Sequence, residues 1–303
     1  MNRCNIILFK NNKKAMRALY DNDLYTAQKI FRENCRLCRT YQTLNNLGVF
    51  YIKNGMICEN GNIRSGVSVG KKLIEKSLLL RETESALDLL GHIEEDNNEI
   101  LKALHYLERS YNLSKDDRTL HNISVLLYKL GKYENVIEIC SKLSKKFIQS
   151  KALHVFALCM HDRKSLENMI NDEENSFNFL DAIDQLFLFY KMEKYEEVIK
   201  LESKIKEQRF AMDENELILL VDSYIRCGYG SNIQKIRENY VEIYEGAYRK
   251  TLNRFVSKIC KDELYRKNRI EQCEYVPEII DEKCEYFGCT MHKTPWDINV
   301  FSE

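Results

Sequence analysis

The chain reads as an all-α array of short helix pairs, each stacked on the next, and three observations predict this. A motif recurs at a fixed step: Leu44, Leu87, Leu120 and Leu153 are followed three and four residues later by Leu47-Gly48, Leu90-Gly91, Ile123-Ser124 and Phe156-Ala157. Seventeen residues before each anchor stand Ala27, Gly70, Ala103 and Val136, and four further on come Phe31, Ile74, Leu107 and Cys140. The anchors are 33 residues apart from Leu87 to Leu120 and again to Leu153, a period at which a helix pair buries its apolar face only against its neighbours. Second, apolar residues recur at three- and four-residue spacing in ALDLLGHI, ALHYLERSYNL, LHNISVLLYKL and ENVIEICSKL, as one helix face requires. Third, the only two prolines, Pro277 and Pro295, and the single Trp296 lie in the last 27 residues, so nothing before them breaks a helix.

Bulk properties narrow the class. Of 303 residues, 44% are hydrophobic, enough for a continuous core, and 30% are charged. The formal net charge is zero, which speaks against a dedicated nucleic-acid binder. No stretch approaches the roughly 20 apolar residues that span a bilayer, and the start, MNRCNIILFKNNKK, is a poor secretion signal. Eleven cysteines, an odd number spread over a large chain, read as mostly buried thiols in a reducing cytoplasm.

Along the chain, the turns within pairs carry Asn, Asp or Gly: Asp21-Asn22-Asp23, Asp96-Asn97-Asn98, Leu130-Gly131-Lys132 and Cys227-Gly228-Tyr229-Gly230. These residue types supply left-handed turns and local caps. From Leu44 to Leu87 the step is 43 residues, and the extra ten fall in KNGMICENGNIRSGVSVG, an expected extended turn at about 52–69. The step from Leu153 to Ala182 is 29 residues, with a short second helix expected near Ser165 to Ile170.

Leu47, Gly48 and Tyr51 match the Leu-Gly-x-x-Tyr of a first helix, and Ala27 and Phe31 match the Ala-x-x-x-Phe of a second. In these residues the chain resembles the tetratricopeptide-repeat family, over about residues 10–240. Gly131-Lys132-Tyr133-Glu134 and Met192-Glu193-Lys194-Tyr195-Glu196 look like that family's turn into its second helix. The resemblance implies a right-handed superhelical solenoid of about seven helix pairs over residues 1–267, with a short irregular element at 268–303. It also implies that first helices line a concave face, at offsets −2, +1, +5, +8 and +9 from each anchor. The residues at those offsets include Asn45 and Lys53, then Ser85, Asp88, His92, Glu95 and Asp96, then Arg118, His121, Tyr128 and Lys129, then Lys151, His154, His161 and Asp162, and finally Tyr190.

Four of the six histidines fall on these offsets. With Asp88, Asp96 and Asp162 nearby, two readings stand open: a transition-metal site, or the polar lining of a groove that holds a peptide. Arg118, Lys129 and Lys151 predict a locally positive centre, suited to an acidic segment or a free carboxylate. Such binding is expected to weaken with salt and as the histidines lose their protons around pH 6–7. In the tail, Cys273, Cys284, Cys289 and His292 could close a tetrahedral zinc site; a disulfide or a plain cap is the other reading. Cys35-Arg36-Leu37-Cys38 sits at a helix end rather than a helix start, so packing is expected rather than redox work. No phosphate loop, nucleophile elbow or HExxH is present. The expected function is therefore protein or peptide binding by an adaptor or regulator, without catalysis or cofactor. Zinc binding is the alternative.

Overall fold

A computed structural model describes residues 3–58, 62–162, 164–167, 177–208, 212–241 and 243–273. They form two compact units, the first running up to Gly131 and the second starting at Lys132. The first contains α1 (Arg3–Tyr20), α2 (Leu24–Leu37), α3 (Tyr41–Asn54), α4 (Val67–Leu80), α5 (Glu84–Asp96), α6 (Ile100–Ser114) and α7 (Asp117–Lys129). The second contains α8 (Tyr133–Leu143), α9 (Ile148–His161), α10 (Ala182–Lys191), α11 (Tyr195–Lys200), α12 (Glu202–Gln208), α13 (Glu214–Arg226), α14 (Ile233–Tyr240), α15 (Gly246–Lys261) and α16 (Glu263–Glu271). Both units are all-α arrays of helical hairpins. None of the described helices is long and apolar enough to cross a membrane.

Side chains accept the first backbone N–H groups of many helices. Asp23 caps α2, a Thr40–Thr43 capping box opens α3, Asp181 caps α10, and an Asp213–Glu216 box opens α13. The turns predicted to be left-handed are so: Asn22 (φ 57), Asn98 (φ 60), Gly131 (φ 70) and Gly228 (φ 78). At the equivalent place between α10 and α11 stands Glu193 (φ 59), whose Cβ makes that conformation cost on the order of 1 kcal/mol.

In the first unit the hairpins α1–α2, α3–α4 and α5–α6 pack in series, and α7 packs on α6. The second-helix positions of the predicted repeat, Ala27, Phe31, Ile74, Ala103 and Leu107, are all buried. The α3–α4 crossing is the tightest. A Cβ on Gly48 would lie 2.9 Å from the Gly70 carbonyl oxygen, and one on Gly70 would lie 2.6 Å from the Gly48 carbonyl oxygen. At Gly91 a Cβ would meet the side chain of Leu107, 2.8 Å away. Gly48 meets Gly70 and Ile74, and Gly91 meets Ala103 and Leu107, so both glycines sit where the two helices of a pair touch.

The insertion is more ordered than an extended turn. Met56–Ile57 (β1) and Ile63–Arg64 (β2) form a two-stranded antiparallel hairpin with Met56 opposite Arg64. It is held to α2 by Gln28, whose side-chain amide donates to the Ile57 carbonyl (2.7 Å) and accepts from the Ile57 N–H (2.8 Å). Gln28 is 4% exposed, so both ends of a buried amide are satisfied.

In the second unit α8 packs on α9, α10 on α11 and α13, and α13 on α15. Val136, Cys140, Leu153, Phe156, Leu186 and Leu220 supply its core. The last of the described helices, α16, lies against both α15 and α13.

Candidate functional site

In the first unit, α5 and α7 are consecutive first helices and turn polar side chains toward one another. Lys129 on α7 donates to Glu95 on α5 at 2.8 Å, and His92, one turn before Glu95, approaches the other carboxylate oxygen at 3.6 Å. Burial alone would raise the Glu95 carboxyl. The hydrogen bonds and charges of His92 and Lys129 outweigh it and hold the group at about 2.

Arg118 opens α7 beside its own cap residue. Its Nε and Nη2 donate to the two oxygens of Asp116 at 3.2 and 3.0 Å, and Glu84 and Asp88 of α5 add to the negative field around it. Its side chain is 36% exposed. Arg118 and Lys129 thus stand beside carboxylates, and the net positive centre expected from their spacing is largely balanced in place.

Other predicted residues lie deeper. His121 is 4% exposed, and burial pushes its imidazole down to about 4. Tyr128 and Asn45 are also buried. Burial pulls the half-buried Lys53 ammonium down to about 7. These placements correct the expected pH dependence: a His121 that is neutral throughout the physiological range has no proton to lose near pH 6–7. Burial also lowers the pKa of His154.

In the second unit, the Lys151 ammonium sits 4.8 Å from the centroid of the Phe179 ring. His161, exposed at the end of α9, faces Glu134 of α8 at 3.2 Å. Tyr190 on α10 donates its hydroxyl to Asp222 Oδ2 on α13 at 2.6 Å. Asp222 is 2% exposed and also accepts from Arg226, one turn along α13, and from Arg266 Nε of α16 at 2.7 Å. Burial and the Asp222 carboxylate both push the Tyr190 hydroxyl upward, so it stays a donor.

Asp222 and Arg226 were not among the residues selected from sequence, yet their signal was present. They stand at offsets +5 and +9 from Leu217, the anchor of a degenerate repeat. Arg266 has no such signal, because α16 lies outside the repeat pattern.

The described residues contain no group of three or more His, Cys, Asp or Glu side chains able to hold a metal ion. His92 turns to Glu95, His121 is buried, and His161 turns to Glu134. Of the tail set, Cys273 is buried, while Cys284, Cys289 and His292 fall outside the described residues. Cys35 of the CxxC pair donates its thiol to the Thr43 carbonyl of α3 at 2.9 Å, and burial pushes its pKa up to about 11. That is the opposite of a reactive thiolate.

No protein-family model matches the chain, and no curated protein matches it. Among solved structures it is similar to a tetratricopeptide repeat protein from Parabacteroides merdae ATCC 43184. That match has 15% identity and a TM-score of 0.42, and covers 91% of this chain and 96% of that one.

Proposed function

We propose that this chain is a non-catalytic helical-repeat protein that binds a protein or peptide segment on the first-helix face of its N-terminal unit. The Lys129–Glu95 contact supports this reading: it joins offset +9 of one first helix to offset +8 of the one before it, at 2.8 Å. Two repeat positions of consecutive first helices therefore meet on one polar face. Rows of polar and charged groups on rigid helices suit segment recognition, since their rotamers are held before a ligand arrives.

The partner we favour offers an acidic segment or a free terminal carboxylate, read by Arg118. A guanidinium has five N–H donors in a planar fork. Asp116 engages Nε and Nη2 and so fixes the plane of the group while leaving the side chain partly exposed. A carboxylate arriving at that face would meet the guanidinium N–H donors that Asp116 does not engage, held in a fixed plane.

The test uses a fluorescein-labelled acidic peptide with a free C-terminal carboxylate and its amidated twin, read by anisotropy. The free acid should bind, and binding should weaken by about tenfold or more in Arg118→Ala and on amidation. Equal binding by wild type and Arg118→Ala would remove Arg118 from the site.

A further inference from the structure

One segment of the chain already occupies a first-helix face. No residue of the nine in α16 is fully buried: the Arg266 side chain is 11% exposed, and the apolar Leu264 is 70% exposed. Apolar burial, the usual source of helix docking energy, contributes little here. Polar contacts hold the helix instead. Arg266 Nε donates to Asp222 (2.7 Å) and Arg266 Nη1 to the Ile259 carbonyl (2.7 Å). Arg269 Nη2 donates to Glu214 (3.2 Å), and Lys258 of α15 lies 3.8 Å from the Tyr265 ring centroid. Arg266 and Arg269 are three residues apart and share one side of α16.

The receiving surface has the opposite character. Residues 216–224 of α13 are all buried, so Asp222 is mounted on a rigid support. Its carboxylate takes Tyr190 and Arg226 as well as Arg266. If Arg266 leaves, two donors remain, and no buried carboxylate is orphaned. Release of α16 therefore avoids the heavy cost that usually follows the breaking of a buried ion pair. Attachments that bury little apolar surface belong to the low-stability end of a structure.

We propose that the α13 face bearing Asp222 and Glu214 is a binding site for a helical peptide carrying two arginines three residues apart, and that α16 is its displaceable resident. The proposal rests on reading first-helix faces as segment-binding surfaces and extends it to the second unit, with a ligand of opposite charge. A partner of this kind competes with α16, so its apparent affinity is reduced by the fraction of chains in which α16 is bound.

The experiment uses the full chain and a labelled synthetic peptide of residues 262–272. The peptide should bind Arg266→Ala/Arg269→Ala at least about tenfold more tightly than wild type, because the resident is weakened. Binding should fall as salt rises, and a peptide with both arginines replaced by alanine should not bind. Equal binding to both proteins, or none to the double variant, overturns the proposal. Hydrogen exchange on wild type supplies an independent check. Amides of α16 should exchange far faster than those of α13, and faster still at high salt; protection equal to that of α13 overturns the proposal. Binding of the acidic peptide to Arg118 is measured on the same double variant, so failure of either site is seen separately.

Discussion

The two units use the same repeat offsets to different ends. In the first, charged groups of consecutive first helices pair with one another, as Lys129 does with Glu95, and Arg118 keeps part of its side chain exposed beside Asp116. In the second, the corresponding offsets bring Tyr190, Asp222 and Arg226 together beneath an arginine from a helix that is not part of the repeat. The difference teaches that repeat position decides which residues reach the face. What they meet there depends on the segment that follows the repeats.

The largest effect that could break this comparison is expected at Asp222. Replacing it with alanine leaves Arg266, whose side chain is 11% exposed, and the half-exposed Arg226 without their shared carboxylate. The loss should be about 3–5 kcal/mol, read as a lower denaturation midpoint. A change below about 1 kcal/mol would mean that the cluster is ordinary surface electrostatics.

Next comes the α3–α4 crossing of the first unit. Gly48→Leu should cost toward the upper end of about 1–3 kcal/mol, since the obstacle includes a backbone carbonyl. Gly91→Leu should cost less, because a Leu107 side chain can shift. The reverse order in thermal melts would show that the two hairpins do not pack as described.

A smaller effect concerns His121. Its folded pKa, about 4, lies below the ordinary value of 6.5. Between those values the unfolded chain binds the extra proton, so the stabilising contribution is complete above pH 6.5 and is lost as pH falls toward 4. The loss should be at most about 3 kcal/mol, and His121→Asn should show a flatter profile over that window. Identical profiles would place His121 in water.

The smallest effect is expected at Glu193. Glu193→Gly should relieve the left-handed strain and stabilise the second unit by roughly 0.5–1 kcal/mol. Destabilisation would show that the side chain contributes more than the strain costs.

Much of the scaffold was legible in the sequence, because repeat packing is local. The Gly48 and Gly91 contacts and the left-handed turns at Asn22, Asn98, Gly131 and Gly228 all follow from spacing and residue type. The pairing of Met56–Ile57 with Ile63–Arg64 was not legible. Strands of two residues carry no period, and the Gln28 amide that pins Ile57 is 29 residues away. The face itself was half legible. Offsets chose His121 and Tyr128, but their burial depends on the depth of the surrounding side chains, which spacing does not encode. The most consequential contact, Arg266 to Asp222, joins positions 44 residues apart and outside any repeat.

The central claim, that the first-helix face of the N-terminal unit binds a segment, is tested most directly by site-specific photocrosslinking. A photoreactive residue is placed at Ser85 on α5 or Lys129 on α7, at offsets −2 and +9 of the face, and as a control at Lys102, exposed on the second helix α6. The labelled acidic peptide should crosslink from the α5 and α7 positions and not from Lys102. Crosslinking from Lys102 alone would contradict the claim.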